Sequence, residues 1–217
     1  MGLFPAVPTL NAELAAWRGG FRLVAGVDEA GRGPLAGPVV AGAVILDPSR
    51  VSYWWSDLRD SKLLDFDERA RLDALIRDDC AAGVGAASHE EIDTLGLIAA
   101  TKLAMRRAIG ALPQRPQMLL IDAVSLPEYR HRAIIHGDAL VASIAAGSII
   151  AKVARDEMMV ELDKHYPDYG FAAHKGYSCA AHFDALKRLG PSPAHRQSFR
   201  PVRDATIGQT NLGPLFE

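Results

Sequence analysis

The feature that most constrains the fold is a set of short apolar runs that alternate with longer amphipathic stretches. Residues 38–46, PVVAGAVIL, are apolar almost throughout, which predicts a strand buried on both faces of a sheet. Residues 21–28 are typical of a preceding strand, and the short glycine-rich link between the two favours a hairpin. The same reasoning predicts three further strands, at 84–88, 117–122 and 132–138.

Helices are predicted in the stretches between and after these strands. The segment 65–83 opens with an acidic first turn and closes at Gly83, as helices commonly do. Helices are also predicted over 89–112, with Gly96 as a weak point, over 140 to about 165, and over 179–190. This alternation predicts an α/β fold, a mixed β-sheet flanked by helices, with a small helical region near the C-terminus.

Composition limits where such a chain would work. Its longest apolar runs fall well short of the roughly 20 residues that a membrane span needs, and its N-terminus lacks the pattern of a secretion signal. Cys80 and Cys179 lie far apart without a metal or disulfide pattern, which favours two reduced thiols. We therefore expect a cytoplasmic protein with no membrane partner.

Charge is unevenly distributed along the chain. The formal net charge of -2 and the isoelectric point near 6.4 give no general attraction to nucleic acids, so any such binding must be local. Between residues 164 and 203 there are seven basic residues and two acidic ones. This basic segment is either a solvated face or a surface for phosphates. Its basic residues are Lys164, Lys175, Lys187, Arg188, Arg196, Arg200 and Arg203.

Carboxylates stand at the ends of three predicted strands. Asp28 and Glu29 close the first, Asp122 closes the fourth, and Asp138 closes the fifth. Acids at corresponding strand ends meet at one edge of a sheet, where each raises the pKa of the others unless a cation neutralises them. Mg²⁺ or Mn²⁺ is the expected cation, since hard divalent ions prefer carboxylate oxygens.

The acid pair at 28–29 raises a geometric question, because neighbouring residues on a regular strand point to opposite faces. We expect the strand to bend at the following glycines, so that both acids reach one site.

The segment from Gly31 to Ala36 also fits the G-x-G-x-x-A pattern of dinucleotide-binding proteins. That reading is disfavoured, because Pro34 and a strand follow where the pattern requires a helix.

Seven segments taken together resemble the bacterial ribonuclease HII family, in order and in spacing, from about Leu23 to Val202. Together they are highly specific, the first containing the acid pair with its glycine turn. They read VAGVDEAGRGPLAGPVVAGAVIL, DSKLL, LLIDAV, IIHGD, SIIAKVARD, YPDYGFAAHKGYS and LGPSPAHRQSF. The resemblance implies a ribonuclease H-like fold and an endonuclease that cuts the RNA strand of RNA/DNA hybrids and nicks ribonucleotide-containing duplex DNA on the 5′ side of the ribonucleotide.

Carried over residue by residue, the resemblance assigns catalysis and the binding of two Mg²⁺ or Mn²⁺ ions to the acids already singled out. These are Asp28, Glu29, Asp122 and Asp138. Two such ions could activate a water and stabilise the leaving oxygen, with Asp28 between them. Asp156 is a rival for the fourth carboxylate, although a structural ion pair suits it better. Lys152 could hold an acid in place or contact a phosphate, and the sequence leaves this open.

The resemblance also assigns residues that would bind the substrate. The turn Gly31-Arg32-Gly33 and Tyr177 would recognise the ribose 2′-hydroxyl and stack on the adjoining deoxyribose. Ser61 and Lys62, with the basic segment, suit contacts to phosphates. The implied division is an N-terminal extension at 1–20, a catalytic core at 21–165, a helical substrate-binding region at 166–205 and a tail at 206–217.

Several positions depart from the usual family pattern. DAVSLP stands where DGN is usual, His136 where a lysine often precedes Gly-Asp, AAGS for AAAS, and GYSC for GYGT. In the tail, Gln209, Leu212, Leu215 and Phe216 form a pattern similar to peptides that bind a sliding clamp, which would add a protein partner. A tail that packs on its own domain or is simply frayed is the simpler expectation. Two other functions are weighed, a non-catalytic nucleic-acid-binding module and the sister ribonuclease HIII. The first should lack one or more of the four acids, and the second normally carries an extra N-terminal substrate-binding domain.

Overall fold

A computed structural model describes residues 7–47, 49–50 and 52–210, with side chains up to residue 206. Five strands make one sheet in the order β3-β2-β1-β4-β5. Strands β1 and β2 are antiparallel, whereas β1, β4 and β5 run parallel, so the predicted mixed sheet and its opening hairpin are both confirmed. The strands are β1 Val24–Ala30, β2 Val39–Ile45, β3 Ala81–Ala87, β4 Met118–Asp122 and β5 His131–Ile134.

Nine α-helices are found within the described ranges. They are α1 Asn11–Arg18, α2 Phe66–Asp79, α3 His89–Leu95, α4 Leu97–Gly110, α5 Gly137–Leu140, α6 Ala142–His165, α7 Phe171–His174, α8 Ala180–Leu189 and α9 Arg200–Thr210. Two 3-10 turns, Tyr53–Asp57 and Pro167–Tyr169, complete the helical structure. None of these helices combines the length and the apolarity of a membrane span.

The predicted weak point at Gly96 separates α3 from α4. Its φ of +81° is a conformation that glycine adopts more easily than other residues. The helices start where their capping residues stand: Asp65 with Glu68, and Ser88 with Glu91, form capping boxes that satisfy the first amides of α2 and α3.

The chain forms two compact units, each built from separate stretches of sequence. The first unit comprises Met1–Ala30, Val40–Ala86 and Thr101–Ala154, and the second Gly31–Val39, Ala87–Ala100 and Arg155–Glu217. The division predicted from the sequence, with boundaries at 20, 165 and 205, stays a prediction.

In the first unit, helix α6 packs very closely on the sheet. A side chain at Gly26 would collide with the backbone of Ser143 and Ile144, and one at Gly42 would collide with the carbonyl of Gly147. These glycines on β1 and β2 let the helix backbone approach the strands directly. Apolar residues of α6, the strands and α2 then form a buried core, which fixes the position of the residues that α6 carries.

The N-terminal segment of the first unit is an integral part of it. Glu13, on α1, is fully buried, and its Oε1 accepts a hydrogen bond of 2.7 Å from the amide of Ser143. Because that amide belongs to the first turn of α6, Glu13 caps the helix from outside its own sequence. Burial raises the pKa of Glu13, and the hydrogen bonds to Ser143 oppose the rise.

Candidate active site

The sheet brings the first and fourth strands' carboxylates side by side. Parallel pairing of β1 with β4 matches Val27 with Ile121, so Asp28 and Asp122 are the next residues on each strand. Asp28 is 4% exposed and its Oδ1 accepts from the amide of Glu29 at 2.7 Å. Burial, followed by the negative charges of Glu29 and Asp122, raises the pKa of Asp28 well above its ordinary value.

Asp138 lies next to Gly137, which contacts Asp122, but it belongs to a short helix and not to the end of a strand. Strand β5 ends at Ile134, and Asp138 lies four residues later in the short helix α5. The prediction that Asp138 closes a strand is therefore wrong: the chain turns at His136, whose φ is +58°, and starts a helical turn at Gly137. The amide of Gly137 donates to Asp122 Oδ1 at 2.7 Å, which ties the two acid-bearing segments together.

Glu29 does not follow the expected bend. Antiparallel pairing continues regularly through Asp28–Gly42, Glu29–Ala41 and Ala30–Val40, so β1 is still a regular strand at both acids. Alternation along a strand then directs their side chains to opposite faces. The chain leaves the strand only at Gly31, whose φ is +92°.

Lys62 supplies a positive charge to this group of acids. Its Nζ lies 3.1 Å from Asp138 Oδ2 and 3.5 Å from Asp60 Oδ1, although 74% of its side chain is exposed. Burial lowers the pKa of Lys62, but the opposite charge of Asp138 outweighs this and raises the pKa overall. The pKa of Asp122 is raised by burial and by Asp138, against the amide of Gly137 and the charge of Lys62.

Two buried serines support Asp28 from helix α6 and from the loop before α2. The hydroxyl of Ser148 hydrogen-bonds to Asp28, and its oxygen lies 2.9 Å from that of Ser61. Both serines are about 3% exposed. Ser61 therefore turns its hydroxyl inward, toward Ser148, and its predicted phosphate contact stays a prediction. Ser148 was missed in the sequence, because a serine in an apolar helix gives no signal of what it touches.

The donor set suits a hard divalent ion, since it consists of carboxylate oxygens whose mutual repulsion such an ion would relieve. Within the described residues, however, no three His, Cys, Asp or Glu side chains are gathered closely enough to hold a metal. The contacts of these acids explain why they are not closer together. Asp138 is hydrogen-bonded to Lys62, and one oxygen of Asp122 accepts from the amide of Gly137. Glu29 is directed to the other face of strand β1.

The second unit contains the predicted recognition residues. Arg32 and Gly33 are exposed in the turn after β1, and Tyr177 is 42% exposed. The guanidinium carbon of Arg155 lies 5.5 Å from the centre of that ring. Arg196 was included in the basic segment predicted from the sequence. It is fully buried and therefore does not belong to a charged surface.

Two buried histidines of the second unit, His182 and His195, form a hydrogen-bonded pair next to the backbone of Tyr177. His182 Nδ1 lies 3.0 Å from the carbonyl of Tyr177 and donates to it, so His182 Nε2 must accept from His195 Nε2, 2.9 Å away. His195 Nδ1 then accepts from the amide of Ser192. This arrangement requires both histidines to be neutral, and burial accordingly lowers the pKa of His182 and lowers that of His195 to about 4.

Comparison with solved structures identifies the class. The chain is similar to ribonuclease H2 of Pyrococcus horikoshii, with a TM-score of 0.71 and 28% identity over 85% of this chain and 97% of that one. It is similar to the ribonuclease HII solved in a complex with PCNA from Archaeoglobus fulgidus, with a TM-score of 0.69 and 28% identity over 82% and 95%. Bst-RNase HIII with Mn²⁺ shares the fold, with a TM-score of 0.72 and 18% identity over 93% and 74%. The protein thus has a ribonuclease H-like fold.

Sequence comparison then gives the family. The family model described as Ribonuclease HII matches residues 25–202. Ribonuclease HII of Parvibaculum lavamentivorans is 56% identical over 84% of this chain and 68% of its own length. Ribonuclease HII of Cereibacter sphaeroides is 47% identical over 95% and 98%. The chain belongs to the ribonuclease HII family, which makes it a type 2 ribonuclease H, an endonuclease of RNA/DNA hybrids.

Proposed function

We propose that this enzyme also nicks duplex DNA on the 5′ side of a single embedded ribonucleotide, using two divalent ions. The observation that carries the proposal is the placement of Asp28 beside Asp122 at the ends of two parallel strands, with Asp138 joined to Asp122 through Gly137. Asp28, Asp122 and Asp138 would hold the ions, and Glu29, which alternation along β1 directs to the other face, would have to turn toward them to act as the remaining predicted ligand. When bound, such ions activate a water and stabilise the leaving 3′ oxygen.

Hydrogen bonds and one positive charge within the chain hold the candidate metal ligands in place. Ser148 holds Asp28 in place by its hydrogen bond, and Gly137 does the same for Asp122. Lys62 neutralises Asp138 in the metal-free protein, and its exposed ammonium is free to rotate toward a phosphate of the substrate when a cation takes its place. The products expected from this chemistry are a 3′-hydroxyl and a 5′-phosphate.

Recognition of the ribonucleotide is assigned to the second unit. The exposed turn Gly31-Arg32-Gly33 would contact the 2′-hydroxyl through its backbone, and the exposed ring of Tyr177 would stack on the neighbouring deoxyribose. The other basic residues of the segment 164–203 would contact phosphates, which makes affinity fall as salt rises.

Relatives named ribonuclease HII support this proposal over a ribonuclease HIII-like function. Two of them share 47–56% of their residues with this chain, whereas the Bst-RNase HIII structure shares 18%. A non-catalytic module is disfavoured because all four acids are present.

The test is an incision assay on an end-labelled DNA duplex that contains one ribonucleotide. We expect a nick 5′ of the ribonucleotide in Mg²⁺ or Mn²⁺ and none with a chelator. Asp28→Asn should lower the rate by at least about a thousandfold, since several kcal/mol of transition-state stabilisation are lost, while duplex binding persists. Asp78→Asn, on the exposed face of α2, is the matched control and should cut normally.

Cleavage of an all-RNA/DNA hybrid without cleavage at the single ribonucleotide would favour the ribonuclease HIII-like alternative. An Asp28→Asn protein that nicks at the normal rate would overturn the assignment of the acids.

The sliding clamp is proposed as a second partner. The solved complex of PCNA and ribonuclease HII from Archaeoglobus fulgidus supports such an association. Of the four clamp-like residues, Gln209 belongs to helix α9, which ends at Thr210, whereas Leu212, Leu215 and Phe216 lie outside the described residues. A pull-down with the clamp, before and after deletion of residues 209–217, tests this.

A further inference from the structure

Arg196 makes an unusual set of contacts for a fully buried arginine. Its Nη2 donates to the carbonyls of Gly31 at 2.6 Å and Pro38 at 3.1 Å, its Nη1 to that of Arg32 at 2.9 Å, and its Nε to that of Gly37 at 3.0 Å. These four backbone carbonyls belong to one short segment that follows strand β1. The guanidinium thus holds the glycine turn from its inner side.

Peptide geometry fixes where the other side of this turn points. In a planar trans peptide, the carbonyl of one residue and the amide of the next point in opposite directions. Since the carbonyls of Gly31 and Arg32 point at Arg196, the amides of Arg32 and Gly33 point away from it. Arg32 and Gly33 are both exposed, so two successive N–H groups are directed to the surface.

Arg155 reinforces the same segment and connects it with Tyr177. Its Nε donates to the carbonyl of Pro38 at 3.0 Å, and its Nη2 to that of Lys175 at 3.0 Å. The guanidinium also lies against the ring of Tyr177. A side chain at Gly31 would collide with Arg155, which explains why this position, with its left-handed φ, is a glycine.

The chemistry of these contacts requires arginine. A guanidinium has five N–H donors in a rigid planar fork, whereas a lysine ammonium is a single point with three rotating donors. Only the fork can hold four carbonyls that are spread over eight residues in fixed orientations. A buried charge that serves packing alone would be costly, and an apolar side chain would fill the space at lower cost.

We propose that Arg196 is a positioning residue for ribose recognition: it orients the peptide planes of the Gly31–Gly33 turn so that the amides of Arg32 and Gly33 can donate to a 2′-hydroxyl oxygen. This inference rests on the proposed function, because it assumes that the turn recognises a ribonucleotide. Arg196 itself does not touch the substrate. Its effect is on the choice between ribose and deoxyribose rather than on affinity for duplexes in general.

The experiment compares binding to two duplexes that differ only in one 2′-hydroxyl. Fluorescence anisotropy in the presence of a chelator gives the affinity of the full chain for each duplex without cleavage. We expect Arg196→Lys to lower the preference for the ribonucleotide duplex about tenfold, the size of one or two lost hydrogen bonds, while affinity for the DNA duplex changes less than about twofold. Arg77→Met, on the exposed side of α2, is the control and should keep the wild-type preference.

A second pair of variants covers the case in which Arg196→Lys fails to fold. Gly33 is exposed, and a side chain there would meet nothing within 4 Å. Gly33→Ala keeps the amide and Gly33→Pro removes it, so the difference between them measures the N–H group. We expect the proline variant to lose the preference and the alanine variant to retain most of it.

The outcomes separate the two proposals. If the wild-type protein does not prefer the ribonucleotide duplex, recognition of the ribose by the Gly31–Gly33 turn is refuted together with the role of Arg196, whereas the proposed function fails only if the incision assay shows no nick. If it does, and both Arg196→Lys and Gly33→Pro keep the preference, the role of Arg196 is refuted.

Discussion

Ala123, directly after Asp122, has a φ of +48°, in the left-handed region that a residue with a Cβ adopts at a cost. The amide of Val124 also bonds to the carbonyl of Asp122 at 2.5 Å, so the chain turns sharply there. In the DGN pattern that the family resemblance implies, this position is glycine, whereas this chain has alanine. The strain lies next to one of the candidate metal ligands, as backbone strain at functional sites often does.

Replacing Ala123 with glycine should therefore stabilise the protein. We expect Ala123→Gly to raise the free energy of unfolding by roughly 0.5–1 kcal/mol, because the gain from removing the left-handed strain exceeds the added entropy of the unfolded chain. Urea denaturation followed by circular dichroism measures the change.

The control for this prediction is Ala133→Gly on strand β5, at an exposed position without left-handed φ. That variant should lose about 0.5–1 kcal/mol. Equal losses in the two variants would show that Ala123 carries no strain.

The sequence reveals some functional residues far better than others. Asp28 and Asp122 could be selected because an apolar run that ends in an acid predicts a strand end. Arg196 could not be selected, because its partners are backbone carbonyls some 160 residues earlier in the chain. Every residue has a backbone carbonyl, so the sequence does not show which ones an arginine will contact. Ser148 is similar, since only the fold places it on Asp28.

At the scale of elements, local signals set most boundaries. The caps at Asp65 and Ser88 and the break at Gly96 depend on neighbouring residues, so the starts of helices α2 and α3 and the separation of α3 from α4 were predictable. Three features were not. Helix α2 was predicted to close at Gly83 but ends at Asp79, because the residues from Ala81 onward join the sheet as strand β3. Helix α5 interrupts the predicted run to Asp138, and helix α9 extends to Thr210 into the segment predicted as a tail.

Helix α8 and the loop that follows it are joined by the His182–His195 pair, which should make this region sensitive to acid. The folded pKa of His195 is about 4, below the 6.5 of the unfolded chain. As the pH falls below 6.5, His195 becomes protonated in the unfolded chain but stays neutral in the folded one. The contribution of His195 to the free energy of unfolding is therefore fully present above about pH 7 and is lost between about 6.5 and 4, by up to about 3 kcal/mol.

This pH dependence can be measured by urea denaturation at several pH values between 7.5 and 4.5, for the wild-type chain and for His195→Gln. The variant cannot take up the proton, so its stability should decline less steeply over this range. His165→Gln, whose side chain is 69% exposed, is the control and should follow the wild type. A His195→Gln slope equal to that of the wild type would refute the account of the neutral pair.

At the scale of the whole molecule, the proposed tasks follow the division into two units. All four acids belong to the first unit, and the glycine turn and Tyr177 belong to the second. Reading the chain in sequence order places a boundary near residue 165, but it cannot assign 31–39 and 87–100 to a unit formed mainly by later residues. Contacts between distant segments decide that assignment, and they appear only in the fold.

The proposed catalysis requires that Asp28, Asp122 and Asp138 bind divalent ions. Calorimetric titration of Mn²⁺ into the metal-free protein tests this directly, with Asp28→Asn and the control Asp78→Asn measured alongside. We predict that wild type and control bind Mn²⁺ and that Asp28→Asn binds it at least about tenfold more weakly, since one charged oxygen ligand is lost. Equal Mn²⁺ affinity in all three proteins, or no binding by the wild type, would contradict the claim.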